Sequence, residues 1–109
     1  MADKTICPKF ESALTILNKR WTGLIIFQLL EGVQRFSTIE TAIGISGRVL
    51  SERLKDLEQQ GIVSRKVYSE TPVRIEYGLT EKGKALEPVL QSIQSWADGW
   101  MQLDKEMLN

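Results

Sequence analysis

The chain has 109 residues, enough for one domain with a core but small enough that a partner subunit would help bury its apolar surface. Its 14 basic side chains balance its 14 acidic ones, so no overall positive field announces nucleic acid, and any basic surface must come from local segregation of charge. No histidine and one cysteine exclude an internal disulfide, histidine-based triads and the familiar His–Cys metal spacings, and no glycine-rich phosphate loop is present. An enzyme is therefore not expected, and no cofactor or metal is implied. No apolar leader core and no apolar run of about eighteen residues occurs, so the expectation is a cytoplasmic chain with no membrane partner.

In chain order, Phe10, Ala13, Leu14 and Leu17 recur at helical spacing and predict an amphipathic helix over residues 9–19. "RWTGLIIFQLLEG" predicts a second, with Trp21, Leu24, Ile25, Gln28 and Leu29 on one side. The additional Ile26 and Phe27 imply burial on more than one side, and Gly32 is a natural stop. Ser37 is expected to cap a short third helix running to about Ala42, with Glu40 in the capping-box position. After the turn "IGIS", Ser46 is placed to cap a fourth helix, "GRVLSERLKDLEQQ", that Gly61 ends. Leu50, Leu54 and Leu57 form its inward stripe; Arg48, Glu52, Lys55 and Gln59 lie opposite, with Ser51 on a shoulder.

"GIVSRKVY" and "VRIEYGL" then predict two short strands joined by "SETP", with Pro72 in the loop or at an edge. Thr80 is expected to cap the terminal helical region. There Leu86, Val89, Leu90, Ile93, Trp96, Ala97, Trp100 and Met101 keep helical spacing, and Pro88 kinks or restarts the helix near Glu87.

Three helices, a tight turn before a fourth with a polar outer face, and a hairpin make the order of a winged helix-turn-helix. The fold class expected is mainly α with a small β-hairpin and a terminal dimerisation helix. Residues 8–80 are the expected DNA-binding core and wing, and residues 81–109 with the N-terminal helix the dimer interface. In such a fold the recognition helix enters the major groove and the hairpin tip reaches the flanking backbone or minor groove. Arg48 and Ser51 are best placed for base edges, and Lys55 and Arg53 for phosphates. Arg53 sits toward the core side and has pairing with a carboxylate as its alternative. Glu52 either accepts from cytosine or orients Arg48. Arg74 is the natural wing cation, and the cap serines Ser37 and Ser46 join the candidate DNA contacts. Taken singly, each is more often a solvated surface group; the architecture shifts the balance toward double-stranded DNA.

A small winged-helix core does not cover the whole terminal stripe. Phe10, Ile93, Trp96 and Trp100 are therefore expected at a homodimer interface, where aromatic anchors carry much of the burial energy. A two-fold dimer would present its recognition helices about 34 Å apart to a pseudo-palindromic operator.

The segments "CPKFESALTILNKRW", "LLEGVQRFSTIE", "ISGRVLSERLKDLEQQGIV" and "ETPVRIEYGLTEKGKAL" together resemble the HxlR family of bacterial winged-helix regulators, related in fold to MarR-type repressors. The resemblance runs from Cys7 to about Trp100. It is strongest to the family's quinone- and redox-sensing repressors, which share the Cys-Pro-Lys start. It implies a homodimer that represses detoxification genes until its N-terminal cysteine, here Cys7, meets an electrophile such as a quinone. Some sensors of that type have further C-terminal cysteines; this sequence closes on "WMQLDKEMLN" without one, so a Cys7-to-C-terminal cross-link is not expected.

A thiol just before a helix lies near unsatisfied amides and the positive end of the helix dipole, which favour thiolate, and Lys4 and Lys9 can add to this. Its products would be an alkylated adduct, a mixed disulfide with a small thiol, or a Cys7–Cys7 bond across the dimer. The first two are preferred, because no sequence feature brings two N-termini within the roughly 7 Å that a disulfide needs. The bland alternative is a small buried packing residue. Two other readings keep the fold: a regulator controlled by a reversible ligand near Trp96 or Phe10, and a winged-helix protein-interaction module.

Overall fold

The computed structural model describes residues 5–103. Lys4 and the last six residues of the expected dimerisation segment lie outside them. Helix α1 (Pro8–Asn18) starts on a proline, whose missing N–H is no loss in a first turn, and Glu11 N–H donates to the Cys7 carbonyl at 3.0 Å. The helix ends at Asn18, one residue before the predicted limit, with Lys19 as its C-cap. Trp21, expected within the second helix, instead stands before it in the left-handed region (φ 78°), as the N-cap of α2 (Thr22–Leu29). A bulky residue there carries strain on the order of 1–3 kcal/mol. The Arg20 guanidinium lies 4.8 Å from the Trp21 ring centre.

Burial on α2 also departs from expectation. Ile25, Ile26 and Leu29 are buried, whereas Leu24 and Phe27 are exposed, because eight residues present one stripe to the core and leave the flanks outside. After α2 the two-residue strand β1 (Gln34–Arg35), which the hydrophobic pattern does not announce, pairs antiparallel with Tyr77 and Glu76 of the hairpin. Gln34 holds it in place: its amide donates to the Gln28 carbonyl at 2.8 Å and its oxygen accepts from the Gln28 side chain at 2.9 Å. Pairing with Glu76 keeps Arg35 extended, so α3 (Phe36–Ile43) begins with Arg35 as N-cap. Ser37 is thereby displaced into the first turn and makes no cap hydrogen bond, which corrects the expected capping box.

Gly44 closes α3 in the left-handed region (φ 77°), buried Ile45 turns inward, and the Ser46 hydroxyl accepts from Val49 N–H at 3.3 Å to start α4 (Gly47–Gln59). Strands β2 (Val63–Tyr68) and β3 (Arg74–Leu79) pair over their whole length, with Pro72 in the loop. The predicted hairpin is thus two strands of a three-stranded sheet ordered β1-β3-β2. The core joins Ile25, Ile26 and Leu29 of α2, Ile39 of α3, the α4 leucines, Ile62, Val63 and Leu90.

Thr80 caps α5 (Glu81–Lys84) as expected, and Pro88 restarts the chain as α6 (Glu87–Trp100). The Thr80 hydroxyl donates to the Gly61 carbonyl and accepts from Gly83 N–H at 3.1 Å, which fastens α5 to the end of α4. A methyl group at Gly83 would lie 2.3 Å from the Ile62 carbonyl oxygen, so no side chain fits there. Replacing Gly83 with Ala is expected to cost about 3 kcal/mol. Urea unfolding checks this: the midpoint should fall at an unchanged slope.

Candidate nucleic-acid interface and thiol site

The exposed face of α4 follows from what its inner face does. Leu50, Leu54 and Leu57 are at most 2 % exposed, which fixes the rotation of the helix and turns Arg48, Ser51, Glu52 and Lys55 to solvent. The structure brings these four together on one surface. Arg48 and Glu52 are 3.7 Å apart, a loose ion pair across one turn that leaves the Arg48 side chain 82 % exposed. Lys55 is exposed one turn further on, and among the described residues it makes no ion pair.

Two of the expected DNA contacts are spent elsewhere. Ser46 uses its hydroxyl as the helix cap. Arg53 points back: its side chain is 18 % exposed, its Nε donates to the Arg20 carbonyl at 2.8 Å, and an Nη lies 3.9 Å from Glu52. Ser37 stays exposed on the first turn of α3, where its hydroxyl makes no cap bond.

Lys19 Nζ lies 2.5 Å from Asp56 Oδ2, so both residues that follow α1 are attached to α4. The Lys19–Asp56 pair is nearly half exposed, and such pairs contribute about 0–1 kcal/mol. The Arg53 bond is charge-assisted, and the Arg53 side chain is 18 % exposed against 49 % and 42 % for that pair, so it is the stronger of the two fasteners.

Arg74, the expected wing cation, is not free. Glu70 lies 3.3 Å and Glu76 3.6 Å from its guanidinium, which stands 4.0 Å from the centre of the Tyr68 ring. The open cations of the hairpin are Arg65 and Lys66, both exposed on β2. Sequence reasoning misses them, although the adjacent basic pair in "SRKV" is an available signal.

Cys7 is exposed and is the N-cap residue of α1, with a side chain that makes no cap bond; the alternative of a buried packing residue does not hold in the single chain. Lys9 is exposed on the first turn. The helix that Cys7 begins has no buried residue, and Phe10 and Leu14 are bare. On α6 only Leu90 is buried, while Ile93, Trp96 and Trp100 are 53 %, 60 % and 77 % exposed. Between α1, α2 and α6 runs an apolar groove of about 530 Å³, lined by Leu17, Trp21, Leu24, Phe27, Leu90 and Ile93 among others. Trp96 and Phe10, named for a reversible ligand, do not line it. Among the described residues no cluster suits a metal ion, and no helix is long and apolar enough to cross a membrane.

The model of the HxlR-like helix-turn-helix family matches residues 16–105. The uncharacterized HTH-type transcriptional regulator YvaP of Bacillus subtilis is 61 % identical over 102 residues, spanning 93 % of this chain and 94 % of that one. The transcriptional regulator YodB of the same organism is 57 % identical over 95 residues, 86 % of this chain and 85 % of YodB. The reduced form of YodB superposes with a TM-score of 0.81 at 52 % identity, covering 90 % of this chain and 97 % of that structure. Its quinone-bound form gives 0.77 at 50 % identity, covering 87 % and 100 %. The α3–turn–α4 unit, the leucine-packed recognition helix, the hairpin after it and these matches have one common meaning: the chain belongs to the HxlR-like helix-turn-helix family of transcriptional regulators.

Proposed function

We propose that the protein is a homodimeric repressor that binds a pseudo-palindromic operator and leaves it when a quinone alkylates Cys7. The observation that carries the reading is the placement of an exposed thiol at one end of a helix whose other end is fastened to the recognition helix. The existence of a quinone-bound form of the similar YodB supports the choice of electrophile. Cys7 lies outside the residues matched by the family model, so its role rests on this geometry and on that likeness rather than on membership.

The chemistry is a conjugate addition. The Cys7 thiolate attacks a ring carbon of the quinone, a C–S bond forms, and the electron pair moves to the conjugated carbonyl oxygen, which takes up a proton; loss of the C–H proton at the attacked carbon and protonation of the second oxygen then restore the aromatic ring as a hydroquinone thioether. No further oxidant is needed. Helix α1 has eleven residues and is about 16 Å long, so the adduct forms about that far from the residues that link α1 to α4. Displacement of α1 is passed on through Lys19–Asp56 and Arg53–Arg20 to α4, and a dimer whose recognition helices leave their half-site spacing loses both grips together.

The bare faces of α1 and α6 support the dimer. A second copy placed against them covers Phe10, Ile93, Trp96 and Trp100, large apolar side chains that are each more than half exposed in the single chain. On DNA, Arg48 and Ser51 face base edges, while Lys55 and Ser37 face phosphates, with Glu52 holding Arg48 in aim. The apolar groove favours a second reading, a reversible ligand with an apolar body. Release that reverses on dialysis, with no change in protein mass, would mark it.

Changing Cys7 to Ser should leave affinity for DNA within about two-fold while abolishing release by p-benzoquinone, because the hydroxyl is a far weaker nucleophile. A gel shift with and without the quinone reads both, and release by the Ser variant equal to wild type would contradict sensing at Cys7. Changing Lys55 to Gln should weaken binding similarly on all duplexes and flatten the plot of log K against log salt by about 0.9 for each phosphate the side chain no longer neutralises. An unchanged slope would remove Lys55 from the interface.

A further inference from the structure

The hairpin tip concentrates opposed charge on one face. Tyr68 stands opposite Arg74 and Lys66 opposite Glu76, so by the alternation of strands all four project to the same side. Arg74 is engaged there on three sides: Nη2 lies 3.3 Å from Glu70, Nε, itself shut off from solvent, lies 3.6 Å from Glu76, and the guanidinium stands 4.0 Å from the Tyr68 ring centre. The side chain keeps 30 % of its surface exposed, but turning the guanidinium outward to a phosphate would loosen its hold on two carboxylates and an aromatic ring and uncover negative charge facing the DNA backbone. Lys66 has no ion pair among the described residues; its Nζ stands 5.2 Å from the same ring centre, on an exposed residue.

We propose that Arg74 is a positioning residue for DNA binding, neutralising Glu70 and Glu76 and pinning Tyr68, and that Lys66, steadied on that ring, makes the wing's phosphate contact. The arrangement explains how a hairpin with two carboxylates near its tip can lie against a polyanion. It rests on the DNA-binding reading above, and it predicts a coupling that a direct contact would not show. Arg74 matters only while the two glutamates are present.

The test uses the full-length chain and a duplex that the wild-type protein selects from a random-sequence library, with affinity read by fluorescence anisotropy over a range of salt. Arg74→Gln should weaken binding about ten-fold at low salt, through the repulsion it uncovers. In an E70Q/E76Q background the same change should alter affinity by less than about two-fold. Lys66→Gln should lower the salt slope by about 0.9 per subunit. An equal loss from Arg74→Gln in both backgrounds, or an unchanged slope for Lys66→Gln, overturns the proposal. Should Arg74→Gln alone fail to fold by circular dichroism, comparison of E70Q/E76Q with E70Q/R74Q/E76Q decides the matter by itself. Failure of the wild-type chain to enrich any duplex would contradict DNA binding as such, a result distinguishable from a wrong role for Arg74.

Discussion

The seating of helix α4 governs what the rest of the molecule can do. Three leucines at helical spacing sink into the core formed by α2, α3 and the start of β2, and that burial sets the rotation of the helix to within a few tens of degrees. Rotation decides which side chains reach solvent, so the polar face at Arg48, Ser51 and Lys55 is a consequence of where Leu50, Leu54 and Leu57 go. Arg53 and Asp56 add polar links that hold α4 against the joint between α1 and α2.

The same joint is where the backbone is least ordinary. Trp21 stands in the left-handed region between a helix with no buried residue and one that supplies much of the core. Strain of this kind persists only where surrounding contacts outweigh it, and here the Arg20–Trp21 stacking and both links to α4 converge. Helix α1 is thus attached to the domain mainly by its C-terminal end, with its thiol-bearing end outermost. The chain's radius of gyration, 16.3 Å against about 13 Å for a compact chain of this length, reflects helices that extend past the core with apolar faces uncovered.

Local rules made much of this legible. The Ser46 and Thr80 caps, the leucine stripe of α4, the hairpin and the restart at Pro88 depend on residues within a few positions of one another, and the structure has each of them. What escaped depends on distant partners. A two-residue strand has no period to detect; β1 exists because β3 lies beside it, and its pairing moved the start of α3 and displaced Ser37. Arg74 is a different case: Glu70 and Glu76 lie only four and two positions away, and strand alternation already puts Glu76 on its face, so this pairing was legible locally. Trp21 fitted the stripe of α2 by spacing, and nothing local showed that the chain would reverse hand there. For Arg53, helical geometry indicated the inward lean but not that a backbone carbonyl thirty-three positions away would receive it.

Linkage between the state of Cys7 and the state of α4 is the central claim, and mass measured separately on each side of the binding equilibrium tests it most directly. The protein–operator complex is treated with less than one equivalent of p-benzoquinone, bound and released protein are separated on a native gel, and each fraction is weighed intact and after digestion. Adduct confined to the released fraction, on the peptide that contains Cys7, is the predicted result. Adduct at Cys7 in protein still bound to the operator, in the same proportion as in the released fraction, would contradict it.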